Sequence, residues 1–355
     1  MRTSLSERLL DLAVSGFLWG FRILILAAIV IGTIGAIRAG KYTGEQWIDF
    51  VVFGISQGSI YALIALGYTM VYGILRMINF AHGEIFMSGA FSAYFLATWL
   101  NSTGFIDANP LLGLLIPIVF AMIMSASIAM LVERIAYRPL REAPRLVPLI
   151  SAIGASFFLQ YTFRGFFGPG VYAYPPIRAL EGEWNIFGIG ILKVQIVVAI
   201  AAAIMMGILY SVVMFTKIGK AMRAVSEDKD TAALMGIDVN RIIVTTFAVG
   251  AAMAGAAGVL YSLIYRQVGF LMGFTPGIKA FTSAVLGGIG NIPGAMVGGI
   301  VLGIFESVGP SLFLEGLGIT RPYQLKDAIA YTMLVMILLF RPSGILGERL
   351  TTKKA

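Results

Sequence analysis

The sequence predicts an all-α protein, a polytopic membrane helix bundle of about 8–10 transmembrane helices with broken or re-entrant segments among them. Composition is the first reason. Of 355 residues, 58% are hydrophobic and 12% are charged, roughly half the charged share of a soluble domain. So few charges cannot cover a water-facing surface of this size, and the mean hydropathy of +0.88 agrees. The second reason is a recurrence of apolar runs of about 20 residues, the length that crosses a hydrocarbon core of about 30 Å. The third is the 42 glycines, many inside those runs, where they let helix backbones approach closely.

The runs fall near 17–37, 48–75, 83–100, 111–133, 146–167, 191–215, 241–263 and 325–340. Arg2 and Arg8 precede the first, as in a secretory signal. The run exceeds the roughly 7–15 residues of a signal core, so it reads as a retained helix. A further stretch, 276–309, is too long for one span and is interrupted at Gly290-Asn291-Ile292-Pro293-Gly294; it reads as two short or broken helices. A second break lies at Asn79-Phe80-Ala81-His82-Gly83-Glu84. Backbone freed at such breaks needs protein or cavity water, because lipid offers no partner. Paired breaks can mark an internal repeat with a midplane site; coincidence in a glycine-rich chain is the equal alternative.

Charge orders the loops. Arg134, Arg138, Arg141 and Arg145 share one loop; Lys217, Lys220, Arg223, Lys229 and Arg241 share another; Arg341, Arg349, Lys353 and Lys354 mark the end. The positive-inside rule assigns these to the cytoplasm and, with the broken stretch counted as two helices, both termini as well. The outer side keeps Arg38, Lys41, Arg178, Lys193, Arg266, Lys279, Arg321 and Lys326, so the bias is moderate. The outer segment 168–190, with Trp184 and several Tyr, Pro and Gly, reads as an ordered cap. The net charge of +8 belongs to this orientation signal, and nucleic acid is not an expected partner.

Several chemistries are excluded. With no cysteine, disulfides, thiolate metal sites and thiol nucleophiles fall away. Residues 35–42, Gly-Ala-Ile-Arg-Ala-Gly-Lys-Tyr, nearly spell a phosphate-binding loop. Tyr42 stands where Ser or Thr must hold Mg²⁺, and no strand precedes it; neither ATP nor another cofactor is expected on this chain. Gly54-Ile-Ser-Gln-Gly58 matches a nucleophile elbow but lies within a span, so it reads as a Gly-x-x-x-Gly packing face. His82 is the single histidine, too few for a multi-histidine zinc site. No catalytic site of its own is expected.

The segment 217–240 is polar and unlike its surroundings. Ser226 or Asp228 can cap a helix start, acidic residues crowd its first turn, and Gly236 can end it. The short helix between presents Ala232 and Met235, with Ala233 and Leu234 alongside. Such a helix between two spans is a docking knob for a soluble partner, or an ordinary loop helix.

Asp230-Thr231-Ala232-x-x-x-Gly236 resembles a loosened form of the Glu-Ala-Ala-x-x-x-Gly loop of ABC importer permeases, departing at Asp230 and Thr231. Residues 58–74 and Ile78-Asn79-Phe80-Ala81-His82-Gly83-Glu84 are similar to the opening of branched-chain amino acid permeases of the LivH type. Arg138-Pro139-Leu140-Arg141, Gly154-Ala-Ser156 with Gln160, Gly219–Asp228, the 287–299 glycine run and Arg341-Pro342-Ser343-Gly344 fit the same family. The resemblance covers about 47–347, with 1–46 as an extension carrying one extra transmembrane helix and 348–355 as a cytoplasmic tail.

The resemblance implies an inner-membrane permease that pairs with a second related permease. Two cytoplasmic ATPase subunits hydrolyse ATP beneath it, and a periplasmic binding protein delivers leucine, isoleucine or valine. It implies that Ser226, Asp228, Asp230, Ala232, Ala233, Met235 and Gly236 couple transport to the ATPases. Gly290, Gly294 and Gly298 are expected to pack helices, as are Gly299 and Gly303.

Candidate substrate-path residues are Asn79, His82, Glu84, Gln160 and Asn291. Ionisable groups at membrane depth are functional candidates. By the charge assignment, however, the 79–84 break lies toward the cytoplasm, where polar groups are cheap and simply satisfy freed backbone. Arg164 and Arg22 read as snorkelling residues. Glu306 has no sequence neighbour to pair with. Rival readings are a permease for urea or short amides, an ion-coupled secondary transporter using Glu84, Glu306 or Asp327, and a passive channel or scaffold.

Overall fold

A computed structural model describes residues 5–347 except 142, 145 and 187. Arg2, Arg145 and the 348–355 tail of the charge argument lie outside the described residues. The chain runs as helices α1 (Leu5–Ala39), α2 (Gly44–Leu75), α3 (His82–Ser102), α4 (Phe105–Ala108), α5 (Pro110–Val132), α6 (Leu146–Phe167), α7 (Lys193–Phe215), α8 (Lys217–Glu227), α9 (Lys229–Leu234), α10 (Val239–Tyr265), α11 (Phe274–Gly287), α12 (Ile292–Gly309) and α13 (Lys326–Phe340). Among the described residues, eight helices are long and apolar enough to cross a membrane. The set adds α3, with 21 residues, and α11, with only 14. At about 1.5 Å per residue, α11 rises about 21 Å, short of a full hydrocarbon core.

The outer cap between α6 and α7 holds one 3-10 turn, Arg178–Leu180, and short strands. Strand β1 (Tyr172–Ala173) pairs with β4 (Gln267–Val268), and β2 (Glu183–Ile186) forms a hairpin with β3 (Ile189–Leu192). These short sheets sit outside the bundle, where water or protein can satisfy their edges.

Helix α2 is the axis of the bundle. Its most apolar window is 72% buried, against 11% for α1 and 6% for α13, so α2 lies at the centre of the bundle and the flanking helices at its periphery. Its start is set by a capping box: Thr43 accepts from the Gln46 amide, and Gln46 accepts from the Thr43 amide. Small residues then carry the packing. A Cβ on Gly58 would stand 2.7 Å from the Gly299 carbonyl oxygen and 2.8 Å from Ile300 Cα, and one on Gly303 would overlap Gly58 backbone. Gly54 meets Ile304 in the same way. Helices α2 and α12 therefore cross with backbones in direct contact, where dispersion replaces the hydrophobic drive that lipid cannot supply.

Gly294 and Gly298 close the α11–α12 hairpin against Gly287 and Ser283. Gly290 does not belong to this set. It sits in the turn between the two helices at φ +98°, with open space beside it. Its use is the left-handed backbone, not close packing.

Ion pairs mark the two ends of the bundle. At the end carrying the cap, Lys41 pairs with Glu315, Arg178 with Asp107 at 3.4 Å and Arg266 with Glu181 at 3.4 Å. At the other end, Arg138 pairs with buried Glu133 at 3.0 Å and Arg141 pairs with it as well, while Arg76 donates to the Ser226 carbonyl at 3.2 Å. Lys279, grouped with the outer loops on charge alone, instead lies inside α11 with its side chain 4% exposed.

Candidate functional site

The polar unit between α7 and α10 is built from three successive caps. Thr216 accepts from the Gly219 amide at 3.1 Å and starts α8. Helix α8 buries Gly219, Met222 and Val225 and leaves its basic residues outward. Asp228 breaks from helical geometry and accepts from the Asp230 and Thr231 amides, both at 2.9 Å, starting α9. The Thr231 amide is the main cause that holds the Asp228 carboxyl below the usual carboxylate range. Gly236, at φ +81°, ends α9. Its amide donates to Ala233, and the Ile237 amide reaches back to Ala232, the paired bonds of a Schellman motif. Asp238 then accepts from the Arg241 amide and starts α10.

This scaffold decides which side chains face out. Leu234 is 87% exposed and Met235 79%, held at the tip by the tight Gly236 turn. Ala233 is exposed and Ala232 is 4% exposed, so Ala232 is not part of the presented surface. It packs inward and anchors the knob. Ser226 caps nothing: it lies within α8, its hydroxyl on the Arg223 carbonyl. Lys229, at the surface near Arg141 and Arg76, has its ammonium pushed down, first by partial desolvation and then by those two cations.

The break between α2 and α3 is deeper than charge implies. Arg76 ends α2 in a left-handed conformation at φ 55°. The chain then turns back into the bundle. His82 packs edge-on to Tyr68, 4.9 Å between centroids, and against Gly67 so closely that a Cβ there would overlap its ring. Gly67 lies about 12 Å up α2 from its end. A Cβ on Gly83 would stand 2.6 Å from the Gly273 carbonyl oxygen, so the starts of α3 and α11 meet inside the bundle. Asn79 is tied by Tyr137, whose hydroxyl donates to Oδ1 at 2.5 Å.

Of the sequence candidates, Glu84 and Gln160 come together. They line a cavity of about 240 Å³ between α3, α6 and α11, with Tyr68, Phe80, Ser156 and Phe157. Asn79 and His82 are buried but do not line it. Asn291 belongs elsewhere: its Oδ1 accepts from the Gly294 amide at 2.8 Å and caps α12, and its Nδ2 donates to the Leu346 carbonyl at 2.9 Å.

A second buried cluster joins α11, α12 and α13. Lys279 Nζ lies 2.5 Å from Glu306 Oε1 and 2.6 Å from Asp327 Oδ1, and 5.8 Å over the Tyr61 ring. Glu306 is thus paired within the chain. Sequence reasoning missed this because Lys279 and Glu306 are 27 residues apart, with no periodicity to connect them. Arg22 does not stand free: its guanidinium stacks 3.8 Å over Phe340 and 4.6 Å over Trp19.

A bundle of membrane-length helices with glycine-tight crossings, a mostly apolar cavity that carries Glu84, Ser156 and Gln160, and a capped knob between two spans defines a multi-pass membrane transport subunit. The chain belongs to the branched-chain amino acid transport system permease component family, whose profile matches residues 50–338. The high-affinity branched-chain amino acid transport system permease protein BraD of Pseudomonas aeruginosa is 43% identical over 306 residues, covering 85% of this chain and 96% of that protein. The corresponding LivH of Escherichia coli K12 is 42% identical over 312 residues, covering 86% and 97%. LivM of Salmonella typhimurium, a permease of the same kind of system, is 24% identical over 331 residues, covering 83% and 71%. The chain is therefore an ABC-type permease subunit, a transport protein rather than an enzyme, as its motifs imply.

Proposed function

We propose that this permease carries leucine, isoleucine and valine across the inner membrane, with the α8–α9 unit receiving the ATPase stroke. BraD and LivH, at 43% and 42% identity over nearly their full lengths, support the solute class. The likeness to LivM supports pairing with a second, related permease. Two separate ATPase subunits dock beneath the permease pair, one of them at this knob, and a periplasmic binding protein supplies the solute at the opposite face.

The observation that carries the coupling role is the exposure of Leu234 and Met235, at 87% and 79%, on a helix capped at both ends. An apolar tip held rigid in water is costly unless a partner covers it. A rigid knob also transmits displacement that a mobile loop absorbs. Met235→Asp places a charge in that interface, and Gly236→Val disfavours the left-handed turn. Each should lower solute-stimulated ATP hydrolysis and uptake by about tenfold or more, given the cost of a charge desolvated at a partner surface, while insertion stays normal. Unchanged stimulation in both variants would refute the docking role.

A further inference from the structure

Glu84 is 1% exposed, and its Oε2 has no hydrogen-bond partner among the described residues. A buried carboxylate oxygen left unpaired is costly. Glu84 is part of the wall of the 240 Å³ cavity between α3, α6 and α11, the space from which a partner would reach it. Gly273 leaves room for the carboxyl itself: a Cβ there would stand 2.7 Å from Oε2.

The other walls divide by chemistry. Ser156 and Gln160 bring a hydroxyl and an amide from α6, while Phe80, Phe157 and Phe274 bring rings. The volume lies below the roughly 300–1,000 Å³ of sites for drug-sized ligands, which suits a solute of amino-acid size. One acid, three neutral polar side chains (Tyr68, Ser156 and Gln160) and an aromatic wall match a small zwitterion with an apolar side chain.

We propose that this cavity is a transit subsite for the solute, with Glu84 taking its ammonium group, Ser156 and Gln160 its carboxylate, and the three rings its hydrocarbon side chain. The assignment rests on the amino-acid reading of the transported solute. The site would pass an α-amino acid and disfavour an anion that lacks the ammonium group.

The chain has no cysteine, so Ser156→Cys introduces a lone thiol beside Glu84. In the full complex, assembled with its partners in native membranes, that thiol should react with small cationic and anionic methanethiosulfonates. The cation-to-anion rate ratio should fall several-fold when Glu84→Gln is added, and millimolar leucine should slow the labelling only while Glu84 is present. Recovery of the intact complex after Glu84→Gln separates these readings from misfolding. The proposal is overturned by an unchanged ratio, or by no leucine protection in a complex that takes leucine up. It is equally overturned by a thiol that is closed in the complex but open in the chain alone, because a partner side chain then fills the cavity. Absence of leucine uptake by the unsubstituted complex would instead sink the branched-chain reading, and the charge ratio would still decide whether Glu84 faces a cation-accepting cavity.

Discussion

Lys279 holds three helices by one ammonium. Its carboxylate partners differ in setting: the Glu306 side chain is 1% exposed and the Asp327 side chain 42%. Removing the cation leaves Glu306 buried without a countercharge, whereas Asp327 can turn to water. Lys279→Met should therefore cost roughly 3–5 kcal/mol, the range for breaking a buried pair from one side. Adding Glu306→Gln should recover much of that loss, because a neutral amide is cheaper to bury than a lone carboxylate. The midpoint of heat-induced aggregation in detergent reads both. A double variant no more stable than Lys279→Met would show that the pair is not what holds the site. The same residues mark a limit of sequence reading. Glu306 stands out as a charge within an apolar run, but nothing in its neighbourhood names a partner in another helix. Lys279, beside Gly and Pro residues, looks like a loop cation because hydropathy does not separate a loop from the first turns of a short buried helix.

Helices were easier to read than the contacts between them. Run length and caps gave the capped α9, its Gly236 stop and the α11–α12 break at close to their true bounds, since local chemistry sets all three. Depth was not legible. The 79–84 break looks superficial on charge, yet Gly83 meets Gly273 within the bundle, and only packing places it there. Which glycines pack was legible for Gly54, Gly58, Gly294 and Gly298, which lie within or at the start of helices, and not for Gly290, which follows the same spacing but serves a turn. The α2–α12 crossing gives this distinction a test. Gly303→Leu has no room, because even a Cβ meets Gly58 and the Gly54 carbonyl. Overpacking of this kind costs about 1–3 kcal/mol or more when backbone must move, and here two central helices must separate. Gly207 on α7 has nothing within 4 Å of a Cβ, so Gly207→Leu is the matched control. The yield of monodisperse complex should collapse for Gly303→Leu and hold for Gly207→Leu; equal yields would refute the packing role.

At the scale of the molecule, α1 stands apart from the rest. The family match begins at residue 50, beyond α1, and the most apolar window of α1 is only 11% buried. Its attachment is narrow: Arg22 stacks on Phe340, Gly32 and Gly35 abut Phe313 and Gly316 backbone, and just past the helix Lys41 and Tyr42 hold Glu315. Helix α2 needs none of this, because its start is fixed by Thr43 and Gln46 and its buried face by α10 and α12. The bundle should then fold without α1. Deleting residues 5–36 keeps the Lys41–Glu315 pair and the Thr43 cap, but it also removes one crossing, which would invert every following span if sequential insertion set the topology. The positive loops around Arg138, Arg141, Lys217 and Arg223 oppose that inversion, because the Lys and Arg bias of short loops sets overall orientation and downstream charges can override the first helix. The shortened chain should keep its orientation, with a cysteine substituted for Leu234 modified only from the cytoplasmic side, and should still recover its partners on purification. Labelling of that position from outside would mean that α1 sets the topology of the whole chain.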